Sequence, residues 1–374
     1  MAEYTGELKK TPLAAVHESL GAKMVPFAGF LMPVRYSSIL DEHRVVREKV
    51  GIFDVSHMGE ILISGRPARE FVNTVITNDC SKLDPGGVQY TVMCRPNGTI
   101  VDDLLVSVIE EDKFLLVVNA ANREKDFEHI QSHRISKAQV EDISDAYALL
   151  AVQGPFAREV LEACPIFVPV RQKLNSIPYY RHFCFSYNGA NIIVSRTGYT
   201  GELGFEVFVP PEMAPAFWDA ITSAGKPFGI APAGLAARDT LRFEASFCLY
   251  GRELDDKTTP YQAGLGWTVK IRKPYFVGKE ALKEEKKLGP TKTLIGLELA
   301  GRSIGRQGYA VSAGNKVVGN VTSGSFSPTL KKSLCMAFVE TKEAKKGDRF
   351  EVEIRGKRVE ARRTPLPFYK SRAK

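Results

Sequence analysis

Two adjacent carboxylates sit inside the otherwise apolar run Thr99-Ile-Val-Asp-Asp-Leu-Leu-Val-Ser-Val-Ile109. With a strand's period of two, Ile100, Asp102, Leu104 and Val106 share one face, and Val101, Asp103 and Leu105 share the other. Apolar residues on both faces predict a central strand. The two acids then point apart, so they do not form a proton-sharing dyad. They also cannot alone supply the facing carboxyls, ~5 Å apart, of a retaining glycosidase. Capping a turn suits Asp102. Its neighbour, at the mouth of a buried strand, is a candidate anion for a developing cation. A lone Asp would be read as structural; the pair shifts the balance.

A second concentration of chemistry is Arg196-Thr-Gly-Tyr-Thr-Gly-Glu-Leu-Gly-Phe-Glu206. It follows the apolar run Asn191-Ile-Ile-Val-Ser195 and leads into Phe205-Glu-Val-Phe208, so a glycine-shaped loop between two strands is expected. Glycine lets a backbone approach a ligand closely. The polar groups here are acidic, which disfavours a phosphate cradle and favours a ligand rich in N–H donors.

Pro232-Ala-Gly-Leu-Ala-Ala-Arg-Asp-Thr-Leu-Arg-Phe-Glu-Ala-Ser246 reads as a small-residue helix with Arg238, Asp239 and Arg242 among apolar positions. A buried Arg needs a carboxylate partner, so an internal pair and a ligand contact compete on equal terms. Trp267, in Gly264-Leu-Gly-Trp-Thr-Val269, suits core packing or stacking on a flat ligand. His129 and His133 are four apart and would share a helix face, but no third ligand is near and a solvated face is the expectation. His57 reads as a packed or loop histidine. The six cysteines have no CxxC spacing, which predicts buried, reduced thiols and no zinc site.

The chain has 374 residues, 44% hydrophobic and 25% charged, as in soluble proteins of two or three domains. No apolar run reaches the ~20 residues of a membrane span. The first residues carry neither a signal-peptide pattern nor an Arg/Ser-rich transit pattern. A cytoplasmic location is expected if the source is prokaryotic, or the mitochondrial matrix if this is a processed eukaryotic form. The net charge of +8 gives a mild preference for anionic partners. Acids interleave with the basic clusters, so nucleic-acid binding is not expected. GxxxxGK[ST], a helix-opening GxGxxG, GxSxG and HExxH are all absent, which argues against an NTPase, a nicotinamide or flavin oxidoreductase, an α/β-hydrolase and a zinc protease.

The elements that must position these groups read as follows. Ser38 to Gly51 is a helix with a capping Ser and a closing Gly. Glu60 to Ser64 is a strand and Arg66 to Ile76 a helix. Val88 to Cys94 and Thr99 to Ile109 form a hairpin through Arg95-Pro-Asn-Gly98. Phe114 to Val118 is a strand and Asn122 to Ile135 a charged helix. The succession strand, helix, three strands, helix predicts an α+β sandwich of the split-βαβ kind. A comparable succession returns after residue 146. Lys279 to Lys292 is a boundary helix and linker. The short strands beyond it predict a small β-barrel or sandwich of roughly eighty to ninety residues.

The motifs together resemble the aminomethyltransferase (T-protein) family of the glycine cleavage system. In order, the matching blocks are Thr11-Pro-Leu13, Phe27 to Pro33, Phe53-Asp-Val-Ser-His-Met58, Asp102-Asp-Leu-Leu105, Val152-Gln-Gly-Pro155, Thr197 to Glu202, Gly234 to Arg242, Leu249-Tyr-Gly251, Phe276 to Leu282 and Thr322 to Leu330. The resemblance implies an α+β protein built as a three-domain cloverleaf around a central folate cavity, with two ferredoxin-like units and a C-terminal barrel. The expected division is 1–55 with 147–245 as the folate-binding domain, 56–146 carrying the catalytic Asp, 246–290 connecting, and 291–374 as the barrel. The implied reaction moves the aminomethyl carbon from the lipoylated H-protein to tetrahydrofolate, with no metal or nucleotide cofactor. The family's catalytic Asp falls on Asp103 and its pterin-binding Glu on Glu206. Arg238 matches a folate-contacting Arg, Tyr90, Asn119, Tyr199 and Trp267 match wall positions, and Met58 a cavity position. Tyr369 matches the family's C-terminal tyrosine only loosely, since Phe368-Tyr-Lys-Ser-Arg differs. Two alternatives stay open: a folate-dependent demethylase acting on a small methylated compound, and a non-catalytic folate-binding protein. The second is disfavoured because Thr197-Gly-Tyr199 lacks the cysteine those relatives carry.

Overall fold

The computed structural model describes residues 7–373. Two antiparallel-rich sheets and a closed barrel organise them. One sheet is ordered Val88–Cys94, Ile100–Glu110, Lys113–Val118, Gly59–Ser64, Gln139–Asp142. Its helices, Ala68–Val75 and Arg123–Ser132, follow its first and fourth strands in the sequence. The other is ordered His182–Tyr187, Ala190–Ser195, Gly204–Val209, Ala148–Gln153, Val50–Asp54, Ile230–Pro232. Both run strand, helix, three strands, helix, strand along the chain. In the second sheet Val50–Asp54 is inserted between the first and last strands of that unit, antiparallel to one and parallel to the other. The expected repetition of a split-βαβ unit is therefore present, with this one added strand.

Local sequence explains most of these boundaries. Ser38 caps the helix Ile39–Glu48 by accepting the Asp41 N–H at 3.1 Å. The expected closing role of Gly51 is corrected: the helix ends at Lys49, and Gly51 lies inside the fully buried strand Val50–Asp54. Its glycine is needed there because an added Cβ would lie 2.5 Å from Val46. That strand is buried on both faces and shows no alternation, so its run of five residues merges with the preceding helix. Asn97-Gly98 closes the expected hairpin, with Gly98 at φ 84° and its N–H donating to Arg95 O at 2.9 Å. The C-terminal strands close as a barrel in the order Lys292–Leu299, Lys332–Glu340, Lys316–Ser327, Ala310–Ala313, Arg349–Ile354, Lys357–Thr364.

Each sheet buries one face under its own helices. The other faces meet each other. Phe53, Leu149, Ala151, Ile193 and Phe208 of one sheet pack with Leu115 and Val117 of the other, joined by partly buried Leu105 and Met58. At about 1.5–3 kcal/mol for each fully buried large side chain, this apolar layer dominates the attachment of the two sheets. The strand period puts Glu206 on the row of Ala151 and Phe208, and Asp103 on the row of Leu105. The two acids therefore lie on faces that look at one another.

A buried ionic cluster joins the sheets' helices to the barrel. Arg47 donates to Glu244 at 3.0 Å, to Glu202 at 3.0 Å and to the Thr200 carbonyl at 2.6 Å. Glu244 also accepts from Ser327 and from the Thr329 N–H at 3.0 Å, and His43 bridges Thr240 and Thr329. Arg242 is likewise enclosed by Asp239, Glu253 and Ser323. Its internal pairing resolves one of the two readings left open by the sequence. Five of the six cysteines are buried and none is paired. The His129 and His133 rings lie against each other, tilted by 50° with centroids 4.6 Å apart, and are half-buried, which corrects the expected solvated face. Among the described residues no cluster of three or more His, Cys, Asp or Glu could hold a metal ion, and no helix is long and apolar enough to cross a membrane.

Candidate active site

Asp103 leaves the central strand Ile100–Glu110 toward the opposing sheet. One carboxylate oxygen accepts the Tyr90 hydroxyl at 2.9 Å and the other the Asn119 side-chain N–H at 3.0 Å. Burial first, and then the charge of Asp102, push its carboxyl up to about 7, against the pull of those two hydrogen bonds. A carboxyl raised in this direction suits a general acid or base. Tyr90 stacks on Trp267 with centroids 5.7 Å apart, and the indole is 57% exposed. Tyr199 feels the charge of Asp103 as well as that of Arg238. Its hydroxyl donates to the Cys248 carbonyl and its ring stacks on Phe247.

Glu206 is buried on the facing sheet. The Thr197 hydroxyl donates to one of its oxygens, and the other has no partner among the described residues. Burial raises its carboxyl, while the Thr197 bond and the charge of Arg238 oppose the rise. Arg238 stands over the Tyr199 ring at 4.8 Å, and its guanidinium makes no hydrogen bond or ion pair with any described residue. It influences Glu206 electrostatically without pairing with it. A half-satisfied acceptor thus lies beside a five-donor fork that no described residue engages, an arrangement with the donors and acceptor to take a polar ligand edge.

The loop glycines have a different task from the one expected. An added Cβ on Gly198 or Gly204 would lie 2.0 or 2.2 Å from the Gln153 carboxamide. The loop is wrapped on Gln153, which donates to the Thr197 carbonyl at 3.2 Å and accepts from Thr200 at 2.9 Å. Close approach is thus to a side chain of this protein, and the loop is held rigid behind Glu206. Its other acid, Glu202, turns into the Arg47 cluster.

The structure brings together Asp103, Asn119, Tyr90 and Trp267 on one side, and Glu206, Arg238 and Tyr199 on the other. Met58 joins the apolar layer between the sheets. Tyr369 does not join them: its hydroxyl donates to Glu202 at 2.6 Å and Arg47 lies 4.0 Å over its ring. That engagement assigns it to the ionic cluster and corrects the expected ligand contact. His57 is a neighbour the sequence did not reveal. It is fully buried, and burial followed by the charge of Arg238 lowers it to about 4, so it is neutral at physiological pH. Asp102 caps not the hairpin but the turn after Val118, accepting the Asn119 N–H at 3.1 Å. A surface cleft of about 420 Å³ near Trp267, lined by Lys82, Lys270 and Arg272 among others, includes none of these acids.

Comparison with known proteins decides the family. Residues 13–273 match the GCVT N-terminal domain, and residues 292–370 the glycine cleavage T-protein C-terminal barrel domain. The chain belongs to the glycine cleavage T-protein family. An aminomethyltransferase from Desulforamulus reducens is 48% identical over 97% of this chain and 99% of that protein. One from Halothermothrix orenii is 44% identical over 96% of this chain and all of that protein. The crystal structure of the glycine cleavage system aminomethyltransferase T from Bartonella henselae superposes with a TM-score of 0.89 at 33% identity, covering 98% of this chain and 99% of that one. The protein is thus an enzyme, an aminomethyltransferase, of a folate-dependent family. The T-protein family's α+β units and barrel are those described above.

Proposed function

We propose that the enzyme transfers the methylene carbon of the aminomethyl group carried on lipoylated H-protein to tetrahydrofolate. The products are 5,10-methylenetetrahydrofolate, ammonia and dihydrolipoyl H-protein. The observation that carries this reading is the facing, across the two sheets, of Asp103, whose carboxyl burial pushes up to about 7, by Glu206, which keeps one oxygen without a partner among the described residues, and by Arg238, whose guanidinium makes no hydrogen bond or ion pair with any of them.

The donor set fits a pterin. Glu206 offers an acceptor to the amino-pyrimidinone edge, and Arg238 offers donors to its carbonyl. Tyr90 and Trp267 provide a flat aromatic wall toward solvent. Tetrahydrofolate supplies the nitrogen that accepts the carbon. Asp103 supplies a fixed anion for the positive charge that develops on the transferred carbon. Its near-neutral proton affinity also lets it take or return one proton at a folate nitrogen. Tyr90 and Asn119 hold its carboxyl plane, so it does not reorient during the transfer.

The direct test mixes the purified enzyme with tetrahydrofolate and aminomethylated H-protein. Ammonia and methylenetetrahydrofolate should form in equal amounts. Absence of ammonia, with turnover on a small methylated donor instead, would give the site to the demethylase branch.

A further inference from the structure

One buried carboxyl has no part in the chemistry above. Asp126, on the helix Arg123–Ser132, is 0% exposed, and neither of its oxygens receives a hydrogen bond from a described residue. Its helix packs on the strand that carries Asp102, and Asn122, one turn before Asp126, donates to Asp102 at 2.6 Å, which sets Asp126 beside Asp102, itself 0% exposed. Two carboxylates in contact inside a protein do not both ionise. The two differ in their surroundings. Asp102 accepts the Asn119 N–H at 3.1 Å, the Asn119 side chain at 2.9 Å and the Asn122 side chain at 2.6 Å. Three donors thus meet the Asp102 carboxyl and none meets that of Asp126, and a buried carboxyl without donors is better accommodated neutral than charged. A protonated Asp126 finds in Asp102 the acceptor its proton needs.

The line continues to the reacting group. The same Asn119 amide donates to Asp102 and to Asp103, and Tyr90 closes the far side of Asp103. Other charged and titratable neighbours are few. Lys125 faces both Asp126 and Asp102, and is itself opposed by Asp256 and Arg95. Tyr250 lies under Lys125, and His129 follows on the same helix. Tyr90, Tyr199 and Cys248 face Asp103 from the other elements, and none is an anion near neutrality because burial raises all three.

We propose that Asp102 and Asp126 are a positioning pair that shares a single proton, fixing one negative charge behind Asp103 and, through Asn119, setting how strongly that carboxyl holds its own proton. The pair never meets the substrate. Its one charge disfavours ionisation of Asp103, and its one proton prevents a second charge that would silence Asp103 as a base altogether. Burial, and then the charge of Asp102, hold the Asp126 carboxyl far above the ordinary range, in keeping with this assignment.

This rests on Asp103 as the reacting carboxyl, so the test has one arm that does not. Infrared spectra of enzyme with labelled aspartate carboxyls, taken in mildly alkaline buffer without substrates, should show a protonated-carboxyl C=O band. The band should vanish in Asp126→Asn and persist in Asp103→Asn. No band in the wild type, or a band surviving in Asp126→Asn, overturns the pair whatever the enzyme's reaction. The second arm is the pH profile of turnover. Asp102→Asn removes the fixed charge and should move the acidic limb down by about one unit. Asp126→Asn keeps a donor and the single charge, and should leave the limb where it is. A merely structural role would lower turnover equally at every pH, and an unmoved limb in Asp102→Asn overturns the tuning. If Asp102→Asn does not fold, the infrared arm on Asp126→Asn still decides.

Discussion

Two buried regions of this enzyme use the same side chains in opposite ways. In the cluster around Arg47, every charged group has partners: two carboxylates, a histidine, four hydroxyls and backbone groups surround one guanidinium. Across the facing sheets, and among the described residues, Arg238 has only the Tyr199 ring and no hydrogen-bond or ion-pair partner, Glu206 has one free oxygen, and Asp103 sits beside another acid. The electrostatic outcome is opposite as well. Burial would raise Glu244, but His43, Ser327 and Arg47 outweigh it and bring it down to about 2. No such surplus of partners surrounds Asp103, and burial wins. A satisfied buried charge holds domains together; an unsatisfied one is kept for a ligand.

Removing the carboxyl of Asp103 should have the largest effect. Asp103→Asn keeps the shape and the bond from Tyr90 but loses the charge and the exchangeable proton. Turnover should fall by about 10²–10⁴-fold, with tetrahydrofolate affinity largely kept. Single-turnover ammonia release alongside a folate-binding titration separates the two quantities. Comparable loss in both would move Asp103 from chemistry to binding.

The matched cluster should respond in stability and not in turnover. Arg47→Met strands Glu202 and Glu244 in the interior and should cost about 3–5 kcal/mol. Denaturant unfolding would measure it, and the barrel should lose its attachment first, since Glu244, Ser327 and Thr329 form the joint. A loss under ~1 kcal/mol would mean that the cluster is an ordinary surface-like pair and would break the contrast.

Much of this arrangement was legible in the residues. Alternation along Ile100 to Val106 put Asp102 and Asp103 on opposite faces, and the structure keeps them there. Asn97-Gly98 gave the hairpin, and the acidic loop gave Glu206. What stayed hidden depended on contacts far apart in the chain. Arg238 and Arg242 look alike on one helix, four residues apart; only Glu253 and Ser323, from other segments, make the second a structural residue. Glu202 and Glu206 look alike in one loop, and Arg47 separates them. Asp126 lay within a helix too charged to suggest a buried face, although its spacing of four from Asn122 and Ile130, both buried, carried the signal.

Glu206→Gln tests the recognition side. The substitution keeps one acceptor but replaces the other with a donor that a pterin edge cannot use. Folate affinity should drop by about ten- to a hundred-fold, while turnover at saturating folate changes less. Arg238→Met should act in the same direction. Unchanged affinity in both would return these groups to the structural class.

The smallest effect bears on the cost of keeping Asp103 buried without a cation beside it. An ordinary aspartate in the unfolded chain ionises near pH ~3.9, whereas here the folded protein holds the proton to about 7. Between those values the folded state binds more protons than the unfolded one, so this group makes stability fall as pH rises. Asp103→Asn removes that fall. The variant should match the wild type at low pH and exceed it above neutrality by about 1–3 kcal/mol, read as an upward shift in Tm. The Glu244 contribution has the opposite sign: its lowered value gives stability that is present above the usual glutamate range and lost as pH falls toward 2. One pH series on Asp103→Asn and Glu244→Gln therefore pits the regions against each other. A gain for the first and a loss for the second at neutral pH would show that the protein gives up stability at the site it uses and recovers it at the joint it does not.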